Sequence, residues 1–111
     1  MSLSVSSPPE LRLAITPPSV DAPLAVAVLL ADCNRARILA ILQTGPHCVC
    51  ELAAALGERA NNVSNHLARL REAGLVATSQ VSGDTRRVYY ERDEAACAIA
   101  MGQIQSLLGP A

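Results

Sequence analysis

Cys48 and Cys50 stand one residue apart in the stretch GPHCVCELAAALG, residues 45–57. Thiolates are soft donors, and a pair of them selects ions such as As(III), Cd(II) and Pb(II) over hard cations. The same pair could be redox-active, or merely packed. The alanine-rich residues that follow, closed by Gly57, read as a short helix. At its N-terminus the helix dipole favours thiolate, so both cysteines are expected to be more reactive than a free thiol. In a regular helix residues i and i+2 point about 200° apart, so gripping one ion requires the start of this helix to be extended or unwound. Two thiolates are an incomplete shell. Cys33 and His47 are the candidates for a third ligand, Cys33 preferred as the softer donor, with a carboxylate such as Glu10 behind them. Cys97 reads as core.

A second set of residues suits nucleic acid. In RANNVSNHLARLREAGLV, Val63, Leu67 and Leu70 fall at i, i+4 and i+7 and make one apolar face of a helix over about 60–73. The opposite face carries Asn61, Asn62, Asn65 and Arg69, with Ser64 and His66 at its margins. Asn pairs bidentately with adenine, and Arg with guanine or phosphate. Ser64 and the backbone N–H groups of a helix start can hold phosphate oxygens. Arg86 and Arg87, beside a Gly-containing turn, could reach a minor groove or the DNA backbone. A solvated polar face is the ordinary alternative for such a helix taken alone.

The elements that must position these groups can be traced along the chain. With 111 residues it is one domain with a small core, and no Phe, no Trp and only two Tyr make that core aliphatic. Residues 1–20 hold two Pro pairs and several Ser and are expected to be a flexible arm ahead of a folded domain over 21–109. A first helix, about 23–31, is apolar nearly all round and so is expected to be buried, a partner subunit being one cover for it. Asp32 then caps a helix ending at Gly45-Pro46. After the helices over 48–56 and 60–73, LVATSQV and RRVYYE flank SGDT as a β-hairpin, and Asp93 starts a last helix carrying Cys97, Met101, Ile104 and Leu108 along one side. The order is α-α-α-α-β-β-α, mainly helical with a hairpin: a winged helix-turn-helix, expected to be a homodimer because so small a monomer could not bury both terminal helices.

Net charge is −1, but it is unevenly spread. From Glu58 to Arg92 six arginines oppose four acids, while the remainder has three against six, so positive charge is concentrated around the proposed reading helix and wing. The longest apolar run, APLAVAVLLA, is about half a membrane span, and no basic stretch precedes it. No membrane partner is expected. A cytoplasmic setting follows, in which four cysteines stay reduced.

LADCNRARILAIL, CVCELAAALG, NNVSNHLARLREAGLV and DTRRVYYE, in that order over about residues 24–108, resemble the ArsR/SmtB family of metal-sensing dimeric repressors. VSNHLARLREAGLV resembles the family's recognition helix, and CVCEL resembles the metal box of its arsenite and cadmium/lead sensors. The resemblance implies a winged-helix dimer on double-stranded operator DNA, released when a soft ion binds, with no organic cofactor and no catalysis. The chain also departs from the pattern. Ala53 stands where arsenite sensors carry a third Cys, and residues 1–32 contain none of the arm cysteines of cadmium/lead sensors. Asp93 matches the first position of the family's zinc site on the last helix, but Ala95 stands where its His should be, so that site is expected to be absent.

Three rival functions remain. A redox or persulfide sensor on the same fold would use a disulfide, although one between Cys48 and Cys50 is strained by the single residue separating them. A thiol oxidoreductase is disfavoured, because there is no C-x-x-C and no βαβ pattern. A DNA-binding module without any ligand would leave the cysteines buried and idle.

Overall fold

The structure, a computed structural model, describes residues 16–17, 19–79 and 87–109. Most of the expected arm, the turn SGDT and Arg86 lie outside the described residues. The elements in chain order are α1 (Asp21–Leu30), α2 (Cys33–Leu42), β1 (His47–Cys48), α3 (Val49–Leu56), α4 (Ala60–Glu72), β2 (Val76–Ser79), β3 (Tyr89–Arg92) and α5 (Glu94–Leu108). This is the anticipated winged helix-turn-helix with one strand added.

The core forms where the apolar periodicity puts it. Val63, Leu67 and Leu70 of α4 are fully buried with Ile38 of α2 and Leu52 of α3, and Leu42, Leu75, Val76 and Ala100 complete the cluster. All are aliphatic, so the core relies on close helix packing instead of large rings. Between α3 and α4 the chain reverses at Gly57, whose φ of 65° lies in the left-handed region that favours glycine. There the Glu58 N–H donates to the Ala53 carbonyl at 3.1 Å, closing α3 so that α4 can cross it.

Asp32 caps α2 as expected: its Oδ1 accepts from the N–H groups of Asn34 (2.9 Å) and Arg35 (3.2 Å). The Arg35 backbone hydrogen bond is the main cause holding this carboxyl below its ordinary range. A carboxyl depressed in the folded state contributes stability that is present above the unfolded value, about pH 4, and is lost as the pH falls through the lower folded value. Asp32→Asn keeps a capping oxygen but removes the charge. Thermal unfolding should therefore show the variant below the wild type at pH 7, with the gap narrowing as the pH falls below about 4. A gap independent of pH would mean that the charge contributes nothing.

The sheet has the order β1-β3-β2, antiparallel throughout. β2 and β3 make the expected wing hairpin, Val76 opposite Arg92 and Ser79 opposite Tyr89. β1 is the strand the sequence did not announce, and it pairs His47 with Tyr90 and Cys48 with Tyr89. Both tyrosines of the chain thus lie on β3, between the thiol-bearing strand and the rest of the wing.

The first helix departs from expectation. No residue of α1 is buried within the protomer: Leu24 and Val28 are 52% and 62% exposed, while Val26, Leu29 and Leu30 pack partly on the core. It lies against α5, which buries only Ala100 and leaves Ile99, Met101 and Leu108 exposed. Two apolar helices side by side on a core this small cannot both be covered by it.

Candidate ion site and DNA-reading surface

Cys48 is the N-cap of α3, with extended backbone angles (φ −91°, ψ 166°), and Cys50 is the second helical residue. The two side chains are therefore not on opposite sides of a helix. Their Sγ atoms lie 2.9 Å apart, so the extended helix start that gripping one ion demands is present at Cys48 without any unwinding of α3. Glu51 fixes the cap by accepting from the Cys48 N–H at 3.0 Å, and that backbone hydrogen bond is the main cause lowering the Glu51 carboxyl.

The expected reactivity needs correction for one thiol. Cys48 is 3% exposed, and burial first, then its hydrogen bond with Cys50, pushes its thiol above the ordinary range. Desolvation outweighs the helix dipole here. Cys50 is exposed and is the accessible member of the pair. Thiolates about 2.3 Å from a zinc-sized ion in tetrahedral geometry sit about 3.8 Å apart, so one ion fits if the pair opens by about 1 Å.

The third ligand is where the sequence reading and the structure separate. Among the described residues no group of three or more His, Cys, Asp or Glu is placed to hold a metal ion. Cys33 is exposed at the first turn of α2, about 14 Å of helix from the end that leads to β1. His47 adjoins the pair in sequence, but both ring nitrogens have partners, Thr44 Oγ1 at 2.9 Å and Glu51 Oε1 at 3.5 Å. Glu10 lies outside the described residues. Cys97 is half-buried, its Sγ 3.6 Å from the Leu75 carbonyl, and it lines an apolar cavity of about 260 Å³ with Leu30, Leu39 and Met101. Burial pushes its thiol up as well. Asp93 caps α5 by accepting from the Ala96 N–H at 2.9 Å.

On α4, Asn61, Asn62, Ser64, Asn65 and Arg69 are all exposed, opposite the buried Val63–Leu67–Leu70 stripe. Asn62 Nδ2 donates to Glu58 Oε1 at 3.2 Å, which pins it at the helix start. His66 does not join them. It is half-buried, with Nδ1 3.3 Å from Arg35 Nη1 and Nε2 3.9 Å from Asp32 Oδ1. Arg35 Nε in turn donates to the Leu29 carbonyl at 2.6 Å, so His66 ties the reading helix to the junction of α1 and α2. An i, i+4 count from Asn62 puts His66 on the polar side, and nothing in the sequence places Asp32 and Arg35 beside it.

Arg87 is exposed just ahead of β3. A hydrogen bond to the Tyr89 side chain, then the nearby Cys50 and Cys48 sulfurs, raise its guanidinium above the usual value. The sequence reading assigned Arg87 to DNA and saw no link to the cysteines, because that link depends on the unannounced β1–β3 pairing.

Comparison with known proteins agrees with this geometry. Residues 32–78 match the family described as "Bacterial regulatory protein, arsR family". The chain is 41% identical over 75 residues to the HTH-type transcriptional regulator CmtR of Mycobacterium tuberculosis, a match covering 68% of this chain and 61% of that protein, less than two thirds of its length. It superposes on the crystal structure of a possible transcriptional regulator for arsenical resistance with a TM-score of 0.69 and 29% identity, covering 78% of this chain and 86% of the other. It also superposes on the homodimeric winged helix-turn-helix DNA-binding domain of a possible ArsR-family regulator from Mycobacterium bovis (TM-score 0.62, 25% identity, 94% and 90% covered). These relatives are transcriptional regulators, not enzymes, and no helix among the described residues is long and apolar enough to cross a membrane. Residues 32–78, which hold the cysteine pair and the two helices of the helix-turn-helix, thus form a helix-turn-helix domain of the arsR family of bacterial regulatory proteins.

Proposed function

We propose that the protein is a transcriptional repressor that binds operator DNA as a homodimer and releases it when a soft ion, As(III), Cd(II) or Pb(II), is held by Cys48 and Cys50. The observation that carries this reading is the meeting of the two thiols at 2.9 Å on the first residues of α3, the leading helix of the helix-turn-helix. Asn61, Asn62, Ser64, Asn65 and Arg69 supply the groove-facing surface, and Arg86 and Arg87 the wing. The exposed apolar faces of α1 and α5 are the surfaces of the dimer, a reading supported by the homodimeric relative.

The experiment is operator binding by fluorescence anisotropy, titrated in parallel with As(III), Cd(II), Pb(II) and Zn(II). Release by one or more of the first three but not by Zn(II) is expected, since two thiolates favour the softer ions. Operator binding that no ion alters would refute the sensor and leave a ligand-independent DNA-binding module.

The 2.9 Å approach of the two sulfurs supports a second reading: a redox or persulfide sensor needs only that pair. Thiol counts after oxidant treatment, with and without bound Cd(II), separate the two. Protection of both thiols by Cd(II), together with release by Cd(II) under reducing conditions, favours the ion.

A further inference from the structure

His66 lies at the edge of the reading face of α4, one turn from both Asn62 and Arg69. Its Nδ1 is 3.3 Å from Arg35 Nη1, and its Nε2 is 3.9 Å from Asp32 Oδ1. A guanidinium only donates, so Nδ1 supplies the lone pair and Nε2, on the Asp32 side, carries the proton. The same guanidinium donates from Nε to the Leu29 carbonyl in the last turn of α1, at 2.6 Å. One arginine of α2 thus joins the reading helix to α1. The Val63–Leu67–Leu70 stripe presses α4 onto the core, but apolar burial is non-directional and does not by itself fix the rotation of a helix. The His66–Arg35 hydrogen bond is directional, and it acts on the edge that carries the reading side chains.

We propose that His66 is a positioning residue for operator recognition: through Arg35 it holds α4 at a set angle to α1, so that the two reading helices of a dimer enter their grooves together. Dimeric helix-turn-helix proteins read two half-sites about one helical turn apart, which makes the angle between reading helix and dimer surface a geometric requirement. In the dimer proposed above, the exposed apolar side of α1 is part of that surface. The inference rests on that operator-binding homodimer and is independent of the ion. His66 acts through Arg35 and makes no base contact of its own, because its half-buried ring is engaged by Arg35 and Asp32.

The probe is a duplex of about 30 base pairs that the wild-type protein selects from a random pool, together with the same duplex carrying one scrambled half-site. Affinities are measured by fluorescence anisotropy for the wild type, His66→Leu, His66→Asn, Arg35→Met and the double variant of His66→Leu with Arg35→Met. His66→Leu keeps apolar bulk but loses the acceptor. Its affinity for the intact duplex should fall about tenfold, as expected for a lost hydrogen bond to a charged group, while affinity for the scrambled duplex stays within about twofold. His66→Asn places an amide oxygen close to the position of Nδ1 and should restore most of the loss. Arg35→Met should show the same split between the duplexes. The double variant should be no weaker than the weaker single, since each change removes the same bridge.

A His66→Leu loss already present on the scrambled duplex, or losses that add in the double variant, would make His66 a DNA contact and overturn the inference. So would undiminished affinity of His66→Leu for the intact duplex. Urea unfolding shows whether each variant is folded under the assay conditions. If His66→Leu is not, Arg35→Met decides from the other end of the bridge, and equal losses on both duplexes there overturn the inference. A wild type that selects no duplex, or one with a single half-site, refutes the operator-binding dimer itself, and the inference falls with it.

Discussion

Serine in place of Cys48 or Cys50 should abolish release by a soft ion while leaving the operator complex nearly as tight as before. A hydroxyl is a poor donor to As(III), Cd(II) or Pb(II), and with only two sulfurs at the site the loss of one removes half of the identified shell. Changes to groups that merely support a ligand cost 10–100-fold in metal affinity, so loss of a ligand itself should cost at least on the order of 100-fold. The fold should tolerate both changes. Cys48 is an N-cap, a position where serine is favoured, and Cys50 faces solvent. The thiolate-to-metal absorption that Cd(II) or Pb(II) produces in the near ultraviolet should vanish in either variant. Variants that still absorb and still release DNA would place the ion elsewhere in the protein.

Leu67→Ala should be the most damaging single change to the fold. Leu67 is fully buried in the middle of α4, among Ile38, Leu52, Val63 and Leu70. Leucine-to-alanine changes at such sites cost about 2–5 kcal/mol through lost burial and the cavity left behind. A small domain has only about 5–15 kcal/mol in total, so a large part of the stability is at stake. The fully buried residues around it are all aliphatic and already packed on several elements, which points to the upper part of that range. Urea unfolding at fixed protein concentration measures it. A midpoint close to that of the wild type would mean that α4 does not pack as described.

What could be read beforehand divides along physical lines. The 3.6-residue spacing of Val63, Leu67 and Leu70 depends only on local sequence, and so do the caps at Asp32 and Asp93 and the turn at Gly57, and all of these could be read. β1 could not. It is two residues long, contains no β-branched residue, and exists because β3 lies alongside it. That strand supplies the extended start at Cys48 that the thiol pair needs, and the one misjudged property, the reactivity of Cys48, follows from its burial there, which raises its pKa. His66 shows the same limit, since its partners Asp32 and Arg35 are more than thirty positions away in the chain. The apolar character of α1 was legible, but whether its cover is the chain's own core or another subunit is a property of the assembly.

The placement of both tyrosines on β3 has a practical consequence. With no tryptophan in the chain, all the intrinsic fluorescence originates within one strand, from residues paired with His47 and Cys48. The protein therefore carries its own optical label at the junction of thiols and wing, where most proteins of this size need an attached dye. With Tyr90 replaced by Phe, a single emitter remains beside the sulfurs, and its lifetime can report events at the pair in unlabelled protein, with or without DNA.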